Sequence, residues 1–269
     1  MPLLAGAVAV VFSAGTATAI VRGGGRGHTP SPVARVAQPA TTAVPPEVPV
    51  APGIRQQTSD IFGSTAPPSA VRSTVAQASG PSVGIYESPD QPDPERTLDN
   101  PQPSGAPLVL LVREQIAGWL EVMLPVRPNG STGWVRRSEV SLTEHDFAIV
   151  VELRAHRVTV FKGGQVFLQE PVGLGVANTP TPGGIYYIKE LLRPPDPNTA
   201  YGVYAYGLSG FSNVLTDFQG GEGVIGLHGT NDPASLGKDV SAGCIRMSNQ
   251  GISTLAETLP LGVPVEIRP

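Results

Sequence analysis

From residue 147 onward the chain is built of short runs in which apolar and polar positions alternate. Residues 147–153 (FAIVVEL) and 157–161 (RVTVF) read as β-strands, and KGGQ at 162–165 reads as a hairpin turn. Residues 185–188 (IYYI) and 224–227 (VIGL) are further strands, and 263–267 (VPVEI) is a closing one. A single helix is expected from residue 249 to 258, with Ser248 able to cap its N-terminus. Upstream, 108–112 (LVLLV) is an apolar run, while 118–122 (GWLEV) and 133–137 (GWVRR) alternate on either side of a PNGST turn at 128–132. Residues 90–105 (DQPDPERTLDNPQPSG) read as a mobile loop inside that upstream region. Residues 191–213 set Tyr201, Tyr204, Tyr206 and Phe211 among glycines and prolines, which suits either a flexible lid and substrate wall or ordinary packing of the rings.

The first seventy residues break this pattern. Residues 2–21 carry no charge and are rich in Ala, Val and Leu, as in a signal-peptide core ending at an A-x-A site (Ala17–Ala19) or a membrane anchor. The nearest basic residues, Arg22 and Arg26, follow this run instead of preceding it, and a basic segment upstream of Met1 is expected to complete the signal. Residues 22–70, with VPPEVPV at 44–50 and APPS at 66–69, bury too little apolar surface to offset their ordering entropy, and read as a disordered, partly polyproline linker. The expected division is therefore 1–21 signal peptide or anchor, 22–70 linker, 71–143 a small β module, and 144–269 a catalytic domain. A net charge of -4, from 18 basic and 22 acidic residues, argues against nucleic acid as a partner.

One cysteine in 269 residues excludes an internal disulfide, and its context argues for reactivity. Cys244 follows Ser241, Ala242 and Gly243, small residues that leave room for a substrate backbone. Arg246 supplies a nearby cation, which favours thiolate and gives Cys244 an expected low pKa. His228 ends an apolar run and is the expected proton acceptor, held by a rigid strand. The backbone N–H groups of Gly243 and Cys244 are the expected oxyanion donors, Ser241 is expected to hydrogen-bond within the nucleophile loop, and Arg246 either orients that loop or binds a substrate carboxylate. Tyr204, Tyr206 and Phe211 are the expected substrate-binding residues. His28, His145 and His156 lack metal-ligand spacing, and no phosphate loop, zinc motif or dinucleotide fingerprint occurs, so neither metal nor cofactor is expected.

HGTNDPASLG at 228–237 followed by SAGCIRM at 241–247 closely resembles the signature of the L,D-transpeptidases, the YkuD-type cysteine enzymes of bacterial peptidoglycan. TPTPGG at 179–184 and GLSGF at 207–211 extend the resemblance, which covers residues 146–269; Ala242 stands where many members carry a second histidine. The resemblance implies a mainly β fold, a YkuD-type β-sandwich with one or two helices, and a Gly229 carbonyl that orients the histidine. It implies a donor tetrapeptide stem that loses its terminal D-Ala and an acceptor diaminopimelate amine, giving a 3→3 cross-link in the cell envelope. Water, a D-amino acid or a protein lysine are alternative acceptors, and a degenerate, wall-binding protein is the non-catalytic alternative. The paired GW strands at 118–137 resemble bacterial SH3-like barrels, which implies a module that contacts the wall while the N-terminal segment engages the membrane. Its strand pattern reads as self-contained, so a chain starting near Glu144 is expected to keep its chemistry.

Overall fold

The computed structural model describes residues 34–35, 72–217 and 221–269. The apolar segment 1–21 and most of the linker lie outside the described residues. Within the linker a two-residue strand, β1 (Ala34–Arg35), pairs antiparallel with Leu192 and Arg193. Among the described residues no helix is long and apolar enough to cross a membrane.

The fold is mainly β. Its first part holds β2 (Ser73–Ala78), the hairpin of β3 (Ser82–Ile85) and β4 (Arg96–Asp99), then β5 (Val109–Ile116), β6 (Trp119–Met123), β7 (Thr132–Arg136) and β8 (Val140–His145). Five of these form a sheet in the order β7-β6-β5-β2-β8. The expected mobile loop at 90–105 is instead held down. It contains β4, and Asn100 donates to Gly80 O at 2.7 Å and accepts from Leu108 N at 2.9 Å. The polar composition that suggested mobility is spent on hydrogen bonds to the chain itself.

Successive residues of a strand point to opposite faces, and β5 uses both. Leu110 and Val112 pack with Ala76, Leu120, Val122, Val135 and Val140 in a core of the first sheet. Val109 and Leu111, with Val75 and Met123, belong to the main core of the second part of the molecule. The first sheet is thus not self-contained. The expected boundary at 143/144 falls inside β8, and Asp146 alone separates β8 from the next strand.

That second part runs β9 (Phe147–Glu152), β10 (Arg157–Lys162), β11 (Gln165–Pro171), β12 (Leu174–Gly175), β13 (Gly184–Arg193), β14 (Ala205–Phe211), β15 (Val224–His228), β16 (Asp239–Ser241), β17 (Ile245–Arg246), α1 (Asn249–Thr258) and β18 (Pro264–Arg268). The main sheet has the order β11-β10-β9-β18-β13-β14-β15-β17, with β1 added beside β13. Lys162 pairs with Gln165 across a two-residue turn in which Gly163 and Gly164 both take positive φ, as the KGGQ motif predicts. Helix α1 has the expected bounds; Ser248 Oγ accepts the Gly251 N–H at 2.8 Å, and Ile252, Leu255 and Ala256 are buried against the sheet.

The two sheets are also tied at the turn before β7. Arg127 donates to Ser212 O at 2.9 Å and to Glu222 O at 2.8 Å, and its guanidinium lies 4.9 Å from the Phe211 ring centroid. Asn129 exchanges two hydrogen bonds with the Phe211 backbone, at 2.8 and 2.9 Å. These side chains grip both sides of the β14–β15 connection, and β15 ends in His228.

Candidate active site

Strand β15 places Ile225 and Leu227 in the core, so Gly226 and His228 share the opposite face. The parallel partner β17 sets Leu227 beside Ile245 and His228 beside Arg246. Continuing that register back by one residue brings Cys244 beside Gly226. The Gly226 N–H donates to Cys244 Sγ at 3.3 Å. A Cβ at position 226 would lie 3.6 Å from that sulfur and 3.4 Å from His228 Cδ2. Thiol and imidazole therefore converge over the one position of β15 that has no side chain to separate them.

The imidazole is 3% exposed, and its Nδ1 lies 2.6 Å from Gly229 O. A carbonyl only accepts, so Nδ1 carries the proton and Nε2, on the Cδ2 edge toward Gly226, is left as the basic nitrogen. Burial pushes the His228 pKa down to about 4, against the Gly229 hydrogen bond and with the Arg246 charge. Burial also pushes the Cys244 thiol up, outweighing the Gly226 hydrogen bond and the Arg246 charge, both of which lower it. Both shifts favour the uncharged forms. The surroundings thus do not favour the expected thiolate, because desolvation outweighs the nearby cation.

The loop that carries Cys244 is braced from within. Ser241 Oγ donates to Cys244 O and accepts the Gly243 N–H at 3.1 Å, with Gly243 at a φ of +119°. The Gly243 N–H, expected as an oxyanion donor, is thus taken up by Ser241 Oγ in this structure. Arg246 sits beside the site with its Nε buried and without a hydrogen-bond partner among the described residues.

The sequence profile of the L,D-transpeptidase catalytic domain (YkuD) matches residues 146–267. YqjB of Bacillus subtilis (strain 168) is 31% identical over 130 residues, which cover 44% of this chain and 69% of that protein. The chain belongs to the YkuD family of L,D-transpeptidase catalytic domains. YkuD of the same organism is 36% identical over 121 residues, 45% of this chain and 65% of YkuD, so the match spans just under two thirds of that relative. An L,D-transpeptidase structure from Enterococcus faecium is 22% identical, with a TM-score of 0.36 over 45% of this chain and 49% of that one.

Within this YkuD-type domain the aromatic residues fall differently from expectation. Tyr206 is fully buried and donates to Leu255 O at 2.8 Å, pinning α1 to β14. Phe211 is 2% exposed beneath Arg127. Both lie in β14, a fully buried strand inside the stretch that reads as a lid, so neither offers a substrate any surface. Aromatic rings among glycines suit a wall and a packed central strand equally. Tyr204 is half-buried against the core under Arg193, whose guanidinium is 5.6 Å from its ring, and its carbonyl accepts the Gly229 N–H at 3.1 Å. The ring at the site is Tyr201, with its centroid 5.0 Å from that of His228. Burial raises the Tyr201 phenol, Cys244 adding to the shift and Arg246 opposing it. Sequence reading named Tyr201 within the lid stretch without choosing it as a substrate-binding residue, and did not single out Gly226. A glycine two residues before the histidine, in a strand that is otherwise apolar, was the available signal for Gly226.

Proposed function

We propose that this protein is an L,D-transpeptidase that forms 3→3 peptidoglycan cross-links through a Cys244 thioester. The observation that carries the reading is the convergence of the Cys244 thiol and the basic edge of His228 over Gly226, with the tautomer set by Gly229 O. As the tetrapeptide stem binds, His228 Nε2 takes the thiol proton while sulfur bonds to the carbonyl carbon before the terminal D-Ala. The oxyanion that forms is met by the Cys244 N–H and by the Tyr201 hydroxyl. Collapse breaks the C–N bond, and Nε2 returns the proton to the leaving D-Ala amine. The side-chain amine of a second stem then loses a proton to Nε2 and attacks the thioester, and the C–S bond breaks as the thiol is re-protonated. The buried Arg246 Nε, with donor capacity to spare, suits a substrate carboxylate.

Because burial disfavours both charged forms, in this reading the ion pair forms along the reaction coordinate. Alkylation of the free protein should titrate above the ordinary cysteine value of about 8.5. The same reading takes residues 71–143 as an SH3-like module that contacts the wall, and an envelope location for the chain. Disaccharide-tetrapeptide incubated with the protein and followed by mass spectrometry tests the reading. Loss of D-Ala with a 3→3 dimer supports it; a free tripeptide alone means that water is the acceptor, giving an L,D-carboxypeptidase. Unchanged substrate, or turnover that survives in Cys244→Ala, overturns it.

A further inference from the structure

Asn249 opens α1 and has no part in the chemistry above. Its Oδ1 accepts the Thr230 N–H at 3.1 Å and the Val203 N–H at 3.4 Å. Thr230 N and Gly229 O belong to one peptide group, which is planar and trans, so its N–H and C=O point in opposite directions. Fixing the N–H on Asn249 therefore aims the carbonyl away from α1, and that carbonyl is the acceptor for His228 Nδ1–H at 2.6 Å. The second hydrogen bond ties down the far end of the loop that carries Tyr201, whose ring lies against His228. The fit is close: a Cβ on Gly202 or on Gly229 would collide with this same Oδ1. The helix start, the Tyr201 loop and the His228 turn thus meet at one amide oxygen.

The geometry points to Asn249 as the positioning residue for the catalytic base, acting through the Gly229–Thr230 peptide to hold His228 in its Nδ1–H tautomer. The inference rests on the reading of His228 as that base. Both hydrogen bonds to Asn249 use its oxygen as acceptor, which dictates the test. Asn249→Asp keeps the acceptor and adds a negative charge at the far end of the relay. Asn249→Ala removes the acceptor and frees the peptide to rotate.

The ¹⁵N shifts of the His228 ring report the tautomer in the intact protein without substrate, and the acidic limb of the kcat/KM profile reports the base of the free enzyme. Wild type is expected to show Nδ1–H. Asn249→Ala is expected to show mixed tautomers and a loss in kcat of about 10²-fold, the size of effect that displacing a positioned group produces. Asn249→Asp is expected to restore the tautomer and most of the rate while moving the acidic limb to higher pH. Asn249→Ala with an unchanged tautomer and kcat, beside an inactive His228→Ala, overturns the positioning role alone. Full turnover by folded His228→Ala overturns the reading of the base itself, and the inference with it. If Asn249→Ala does not fold, Asn249→Asp decides: retained rate with a raised limb supports the role, and an unmoved limb overturns it.

Discussion

The two sheets of this protein divide their work unequally. The second holds every group assigned to the chemistry, yet the first supplies four side chains, Val75, Val109, Leu111 and Met123, to the second sheet's core. It also grips the connection leading to the His228 strand through Arg127 and Asn129. The converse does not hold: Leu110, Val112, Leu120 and their neighbours form a core of the first sheet alone. A family match confined to residues 146–267 therefore marks where the chemistry lies without marking what can fold by itself.

The sharpest way to break this comparison is to remove the first sheet. A chain beginning at Glu144 uncovers the surface under Val75, Val109, Leu111 and Met123. At about 1.5–3 kcal/mol for each fully buried aliphatic side chain, that loss rivals the whole stability of a typical domain. The truncated chain should show no cooperative thermal transition by circular dichroism, and a sharp transition near that of the full chain would refute the shared core. Less drastically, Leu111→Ala should cost about 2–5 kcal/mol in denaturant unfolding, although it lies outside the family match.

On the other side, His228→Ala should lower turnover by about 10²–10⁴-fold. The variant should still fold cooperatively by circular dichroism, so that the loss of turnover is not a loss of structure. A fourth test uses one histidine from each sheet. Burial lowers both His145, in β8, and His228 to about 4. The folded pKa lies below the unfolded value near 6.5, so between these limits the unfolded chain binds more protons. Stability should therefore be complete above about pH 6.5 and fall as the pH drops to about 4, by on the order of 3 kcal/mol for each histidine. Replacing His145 or His228 with Gln should each remove its own share of the slope, and an unchanged slope in either would deny that histidine's burial. The smallest effect is expected from Tyr206→Phe, which loses its bond to Leu255 O: about 1 kcal/mol of stability, and no change in KM. A raised KM would return Tyr206 to the substrate wall.

Much of this was legible beforehand because it is local. The KGGQ turn, the Ser248 cap and the bounds of α1 follow from short-range chemistry. Cys244 and His228 could be named from their surroundings, whereas their state could not. A cation two residues along the chain is visible in sequence, while the burial that outweighs it is created by strands far away in the sequence. The same limit hid the role of β14, whose rings are fixed by α1 and by Arg127. The two faces of β5 were hidden likewise, because a strand buried on both sides reads as one apolar run.

Strand order carries a consequence for timing. β18 follows every other described strand in the chain, yet it lies in the interior of the main sheet, between β9 and β13. A nascent polypeptide missing it has two half-sheets with open edges and no continuous ladder from the first sheet's junction to His228. Synthesis proceeds from the N-terminus at a pace far slower than strand pairing, so Cys244 is made well before the sheet that sets it beside His228 can close. Until Arg268 has left the ribosome, the ladder that joins Cys244 and His228 to the rest of the molecule is unfinished, and it closes in a single late step.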